Sequence, residues 1–320
     1  MPLQLARRAL GDYAWIWIAT VALFAVSGWA APGSVAPGAL RAMAPFAGML
    51  AIVAVGQTLV IQQRGIDMSA VGAIALAGVL VSSWGFEGRS LTLAILGTLG
   101  VGALAGAANG YLVTRLNITP IVATLATNAL MIGAVRQISH GAPLTAPPAL
   151  RDFAVARLGG LPYTLFVALL LVVLVAAATG VTIHGKRFVA VGVNPRAARA
   201  AGVAPERYQV GAYVIASVCF FVTGILLAGF IGNASPMSGA DYLLPGVAAV
   251  VVGGTPFTGG QGSVIASGVA AVFMTQLGQL VLSLGAPPAV QLLVQALAIV
   301  FATGLRSLAA VLRTQRAGGG

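Results

Sequence analysis

Charge, histidine and cysteine are all scarce in these 320 residues. Asp, Glu, Lys and Arg together make up 7% of the chain, where a soluble globular domain carries about 25%. An ordinary water-wetted surface is therefore excluded. The single cysteine, Cys219, rules out an intramolecular disulfide and a cysteine-based metal site, and its apolar neighbours mark it as a small buried hydrophobe. The two histidines, His140 and His184, fall on opposite sides of the topology derived below, so they share no metal. The nearest approach to a phosphate-binding loop is GVTIHGKR, residues 180 to 187. It ends in Arg187 where a Ser or Thr is needed to hold magnesium, and it follows an apolar run rather than a strand. No catalytic constellation and no metal site is expected, and ATP hydrolysis is not expected of this chain.

What the sequence does have is apolar length. Hydrophobic residues reach 59%, mean hydropathy is +0.98, and 42 glycines accompany them. Collagen is excluded because the glycines have no three-residue period, and disorder because the apolar content is too high. Small residues let helices approach closely in lipid, so the composition predicts an all-α polytopic membrane protein. A span needs about 20 apolar residues, and ten stretches qualify: about 13–31, 42–61, 69–84, 91–114, 118–135, 161–183, 209–232, 242–252, 263–284 and 287–305. The eighth is short and runs into GGTPFTGGQG, residues 253 to 262. It reads as a short span or a re-entrant helix, shielded from lipid by protein.

The positions of the basic residues orient the chain. The net charge of +11 would suggest nucleic acid in a soluble protein. In a membrane protein it marks cytoplasmic loops, and no nucleic-acid partner is expected. With both termini inside, Arg7, Arg8, Arg64, Arg115, Lys186, Arg187, Arg196, Arg199, Arg207, Arg306, Arg313 and Arg316 are cytoplasmic. Arg41, Arg89, Arg136, Arg151 and Arg157 are outside. The opposite orientation would reverse that imbalance. The apolar start after Arg7 and Arg8 reads as an uncleaved anchor. The expected organisation is a cytoplasmic tail over 1–12, one transmembrane domain over 13–305 with a basic cytoplasmic loop at 184–208, and a cytoplasmic tail over 306–320. Residues 60–81 and 250–273 share a pattern of apolar helix, glycine-containing break and Gly/Ala/Ser-rich helix, a hint of the internal repeats that transporters contain.

Polar groups inside the spans are few and mostly neutral. The acids Asp12, Glu87, Asp152, Glu206 and Asp241 sit in loops or at span ends, leaving Asp67 in the break before the third span. One acid is thin provision for proton or sodium coupling. Asp67, followed by Ser69 and an apolar helix, reads instead as a helix cap whose carboxylate accepts backbone N–H groups. Gln57, Thr58, Asn109, Thr124, Thr127, Asn128, Gln276 and Gln279 either bridge helices or line a path for an uncharged solute. Thr124, Thr127 and Asn128 share one helix face and make the best pathway candidate, with Gln57, Thr58, Asp67, Ser69 and Asn109 beside them. In the basic loop, Pro195 to Ala201 can form a short helix over Arg196, Ala197, Ala198, Arg199 and Ala200. Asn194 would cap it, Pro195 would take its first position and Gly202 would stop it. The alternative is an ordinary basic loop.

Four motifs carry a resemblance. GIDMS at 65–69, GALAGAANGYLVTRLNITPIVATLAT at 102–127, GVNPRAARAAGV at 192–203 and AAVVVGGTPFTGGQGS at 248–263 occur in the order found in permease subunits of bacterial ABC importers. The chain resembles the ribose, xylose and galactose type, a family that also includes branched-chain amino acid permeases. Arg64 stands where glycine is usual, Val71 where the next glycine falls, and Met68 where leucine is common. The resemblance implies an inner-membrane permease for a monosaccharide or similar polar solute. It pairs with a second copy or a paralogue, and two cytoplasmic ATPase subunits bind the ATP and magnesium. A periplasmic binding protein delivers the solute. The helix from Asn194 to Gly202 would then dock the ATPase, and Gly253, Gly254, Thr255, Gly259, Gly260 and Gly262 would form a broken-helix motif. An amino acid, nucleoside or signalling furanose is an alternative cargo, and an ATP-independent carrier an alternative machine.

Overall fold

A computed structural model describes residues 13–86 and 90–317, with 302–303 and 305–317 described by backbone alone. Among the sequence expectations, those on the 1–12 tail with Arg7, Arg8 and Asp12, on Glu87 and Arg89, and on the side chains of Arg306, Arg313 and Arg316 lie outside the described residues. The chain folds into α1 (Ala14–Ala30), α2 (Pro37–Gln62), α3 (Ala70–Phe86), α4 (Leu91–Thr114), α5 (Pro120–Ser139), α6 (Pro148–Val155), α7 (Tyr163–Val181), α8 (Ile183–Val193), α9 (Pro195–Ala200), α10 (Pro205–Ile231), α11 (Ala240–Gly253), α12 (Val264–Ser283) and α13 (Pro288–Ala317). Four two-residue strands, β1 (Leu144–Thr145), β2 (Arg157–Leu158), β3 (Leu161–Pro162) and β4 (Asn233–Ala234), pair antiparallel as β1 with β4 and β2 with β3.

The protein is all-α and polytopic. Each of the ten apolar stretches is a helix, and six of them, α2, α4, α5, α7, α10 and α12, are long and apolar enough to cross a membrane. The apolar helices α1, α3, α11 and the first part of α13 are shorter. Those 14 residues of α11 amount to about 21 Å at 1.5 Å per residue. Most of α11 from Ala248 to Gly253 is buried by neighbouring helices, which is the setting in which a short helix survives at membrane depth. The final helix continues to Ala317, past the expected span end at Leu305.

Two helices form the centre. Every residue of α2 from Ala47 to Gln62 is buried, and α10 is buried over most of its inner face between α3, α4 and α2. The peripheral helices α4, α5 and α7 instead expose leucines, among them Leu104, Leu130 and Leu169. Apolar side chains on both the packed and the free faces remove the amphipathic stripe of a soluble helix, and lipid is the solvent that accepts such a surface.

Glycine sets the closest contact. On α4, Gly102, Gly106 and Gly110 recur at every fourth position and face α10. A Cβ added at Gly106 would lie 2.5 Å from the Tyr213 carbonyl oxygen, and one at Gly110 would lie 2.7 Å from the Val210 Cα. Backbones this near admit no side chain between them, the small-xxx-small mode of membrane helix packing.

The polar stretch after α5 is ordered. His140 ends α5 in the left-handed conformation, β1 reaches β4, and α6 starts on Pro148 and lays Leu150 and Ala154 against Gly229 of α10. This helix was not expected from the sequence; proline at its first position and an apolar pair four residues apart are the features that could have found it.

Candidate functional site

The break between α2 and α3 is held by its own Asp67 and Ser69 and by side chains from three helices, α2, α4 and α5. Gln57 Nε2 donates to the Asp67 carbonyl oxygen at 2.6 Å. Asp67 Oδ1 accepts the Ser69 N–H at 2.9 Å and the Ser69 hydroxyl at 2.5 Å, so the carboxylate caps the start of α3. The next N–H groups of the same helix end go to α5. Thr124 Oγ1 accepts from Met68 N at 3.0 Å, and Asn128 Oδ1 accepts from Gly72 N at 2.8 Å. Asn109 of α4 closes the set, donating to Ser69 Oγ at 3.2 Å and accepting from Thr127 Oγ1 at 2.5 Å. The first turn of a helix leaves its N–H groups without intrahelical partners, and in this interior they are satisfied by neighbouring helices instead of water.

The structure therefore brings Gln57, Asp67, Ser69, Asn109, Thr124, Thr127 and Asn128 together, with their hydrogen bonds directed at one another. Thr58 lies apart from this set: its hydroxyl donates within range of Ala54 O at 2.6 Å and of Ser267 Oγ on α12 at 2.8 Å. Gln276 is fully buried, and neither its amide nitrogen nor its amide oxygen has a partner among the described residues.

A second junction lies just beyond, at the end of α2. Gly260 N donates to Gln62 O at 2.8 Å. Gln63 Nε2 donates to Phe188 O at 2.8 Å, and Arg64 Nε to Gly192 O at 2.9 Å. A second Arg64 nitrogen, Nη2, reaches Val193 O. Arg64 itself adopts the left-handed conformation, φ 64°, which turns the chain out of α2 and aims the guanidinium at the carbonyl end of α8. Cation and helix C-terminus attract there. Gly192 has no room for a Cβ between Gln62 O and the Gly260 backbone. In the glycine-rich break, Gly254, Gly259, Gly260 and Gly262 all have positive φ, conformations that favour glycine. Gly253 ends α11 against the Ser267 backbone, and Thr255 is fully buried. The two helix–break–helix segments noted in the sequence thus touch at their breaks.

Three consecutive residues, Gln62 to Arg64, consequently tie the α2 end to the glycine-rich break and to α8. Straight on from α8 comes α9. Asn194 Oδ1 accepts from Arg196 N at 3.0 Å and Ala197 N at 3.1 Å, Pro195 occupies the first helical position, and Ala198 is buried. Gly202, φ 78°, follows the helix. An Arg199–Glu206 ion pair then joins α9 to the first turn of α10. The short helix expected between Asn194 and Gly202 is present, with the expected cap and stop. Arg64, taken in the sequence as a cytoplasmic cation and as an unusual residue, is the member of this junction whose contacts sequence reasoning missed. Its acceptors lie 128 and 129 positions away.

Among the described residues no group of three or more His, Cys, Asp or Glu side chains could hold a metal ion.

Comparison with known proteins places these motifs in a family. A model described as the permease component of the branched-chain amino acid transport system matches residues 40–303. The chain is 34% identical over 253 residues to the galactofuranose transporter permease protein YtfT of Escherichia coli (strain K12), covering 78% of this chain and 74% of that protein. It is 37% identical over 232 residues to the autoinducer 2 import system permease protein LsrC of Enterobacter sp. (strain 638), covering 72% and 67%. With the autoinducer 2 import system permease protein LsrD of Escherichia coli (strain K12) it shares 32% over 245 residues, 74% of each. No solved structure matches. The match takes in both breaks, the α8–α9 segment and nearly every apolar helix, and the chain belongs to this family of ABC transporter permease components.

Proposed function

We propose that this chain is the membrane-spanning subunit of an ABC importer for a monosaccharide or similarly small, uncharged polar solute. In this reading it crosses the bacterial inner membrane ten times within a single domain over 13–305, with both termini cytoplasmic. It associates with a second permease chain, two cytoplasmic ATPase subunits that bind ATP and magnesium, and a periplasmic solute-binding protein. The observation that carries the reading is the capped helix α9, held at one end by Arg64 through α8 and at the other by the Arg199–Glu206 ion pair. A short rigid helix on the basic side of the protein is suited to dock a moving partner and pass its displacement on as a rigid-body motion. The relatives named for galactofuranose transport and autoinducer 2 import support the solute class.

The network around Asp67 then works as a hinge seat for α3. We assign Gln57, Asp67, Ser69, Asn109, Thr124, Thr127 and Asn128 to the fixed wall of the moving parts, and the glycines of 253–262 to a pivot at the neighbouring junction, where they meet Gln62, Arg64 and the end of α8. Purifying this chain with its co-expressed ATPase, reconstituting it in liposomes and adding sugar-loaded binding proteins one at a time tests the whole reading. One loaded protein is expected to stimulate hydrolysis, with uptake that persists when sodium and proton gradients are collapsed. Uptake that needs a gradient and no ATPase would replace it with an ATP-independent carrier. Replacing residues 196–199 with glycines is expected to abolish uptake while leaving the chain in the membrane.

A further inference from the structure

At the end of the bundle opposite α9, five helices leave a cavity of about 780 Å³. Its walls are the first turns of α2, α11 and α13 and the last turns of α10 and α12, all outer ends in the proposed topology. Most of the wall is apolar, including Phe46, Leu50 and Met274. Three amides interrupt it. Gln279 comes from α12, and Gln291 and Gln295 lie one turn apart on α13. None of the three has a hydrogen-bond partner among the described residues, whereas the amides of Gln57 and Gln63 deeper in the bundle donate to carbonyl oxygens of the protein.

Gln295 is buried and Gln279 and Gln291 are half-buried, and in a wall that faces lipid or protein such donors and acceptors favour a polar occupant. The chemistry of the lining says what. An amide offers two N–H donors and an acceptor oxygen, which suits a hydroxyl group that both gives and accepts. Among the described residues no Lys, Arg or His lines the cavity, and the one carboxylate there is Asp241 in the first turn of α11. An anionic solute would find no counter-charge and would be repelled by Asp241. The Phe46 ring, fixed edge-to-face on Phe230 with centroids 5.3 Å apart, offers a flat apolar surface for the C–H face of a ring. The volume lies within the range of small-molecule sites, roughly 300 to 1,000 Å³.

We propose that this cavity is a solute-binding chamber for an uncharged polyhydroxylated molecule, with Gln279, Gln291 and Gln295 as its hydrogen-bonding residues. The proposal rests on the permease reading above. It moves solute recognition away from the Thr124–Asn128 face, whose polar groups are engaged with α3 and α4. Gly278 has a part in it: a Cβ there would lie 2.6 Å from Gln291 Nε2, so glycine leaves the space in which that amide rests.

Two measurements on the full transporter in cells test it. In the first, Gln291→Cys and Gln295→Cys are each treated with a membrane-impermeant hydrophilic thiosulfonate and, separately, with a lipid-soluble maleimide; the unaltered chain, whose one cysteine is buried, gives the background. Reaction with the impermeant reagent from outside is expected. Reaction with the lipid-soluble reagent alone, or with neither, overturns the proposal in favour of a lipid-filled or closed cavity. In the second, uptake of labelled D-ribose and D-galactose is compared among variants that retain normal amounts in the membrane and still bring down the ATPase. Gln291→Leu/Gln295→Leu is expected to lower uptake about tenfold or more, Gln291→Asn less, and Gly278→Ala to an intermediate level. Unchanged uptake in the double variant overturns the proposal. If the unaltered transporter imports neither sugar, the comparison uses the sugar whose loaded binding protein stimulates hydrolysis; stimulation by no loaded protein fails the solute class of the permease reading, and the labelling still decides whether the chamber opens to water.

Discussion

Asn194 and Arg64 are the residues on which the α8–α9 segment turns. Replacing an N-cap Asn by Ala costs about 1 kcal/mol, a large share of what holds a helix of six residues together. Asn194→Ala is expected to lower uptake, and Asn194→Asp or Asn194→Ser to restore most of it, because each supplies an oxygen to the N–H groups of Arg196 and Ala197. Equal loss in all three variants would show that the side chain acts through something other than capping. Arg64→Ala leaves the carbonyl groups of Gly192 and Val193 without their charged donor. The ATPase should still co-purify, while solute moved per ATP hydrolysed falls severalfold. An unchanged ratio would mean that the clamp plays no part in coupling. The Asn194 cap was legible in the sequence because cap, proline and stop lie within nine consecutive positions. Arg64 was not, since nothing local to Gln62 and Gln63 announces a carbonyl end more than a hundred residues on.

At the scale of elements, the α4–α10 contact depends on absent side chains. Gly106→Ala places a methyl group against the Tyr213 carbonyl and the Val214 and Ser217 atoms beside it. Overpacking of this kind costs about 1–3 kcal/mol, and a lower thermal midpoint of the detergent-solubilised protein is expected. Gly100→Ala, on the same helix with nothing within 4 Å of the added Cβ, is the matched comparison and should leave the midpoint unchanged or raise it slightly through better helix propensity. If both substitutions behave alike, the close approach of α4 and α10 is wrong. The regular spacing of Gly102, Gly106 and Gly110 is visible in the sequence, yet the identity of the opposing helix is not, because Gly- and Ala-rich faces fit many partners. The same limit applied to Thr124 and Asn128. Their shared helix face was readable from spacing alone, while their acceptor role toward Met68 and Gly72, 56 residues away, needed the packed structure.

For the whole molecule, the distribution of basic residues and the ten apolar helices make the topology testable with single cysteines. Arg157→Cys should react with an impermeant thiol reagent on intact spheroplasts, and Arg196→Cys only after the membrane is opened. The reverse pattern would invert the protein. Apolar length was legible in the sequence because burial and lipid contact both select hydrophobic residues, so all ten apolar stretches are helices, six of them long and apolar enough to cross a membrane. Which of those spans lie at the centre was not readable for the same reason: α2 and α7 are similarly apolar, but α2 is enclosed and α7 faces outward.

One element links the two faces without interruption. The 27 residues of α10 extend about 40 Å at 1.5 Å per residue, with no internal proline and no break, from the Arg199–Glu206 ion pair to Gly229, where Leu150 and Ala154 of α6 rest. In the proposed topology it would act as a push-rod. While α2 and α11 end in breaks at their inner ends, α10 would carry any tilt imposed on its inner end to α6, β1 and β4 in the same instant. Nucleotide-driven movement below and the release of solute above would thus share one stroke, with no relay in between to desynchronise them.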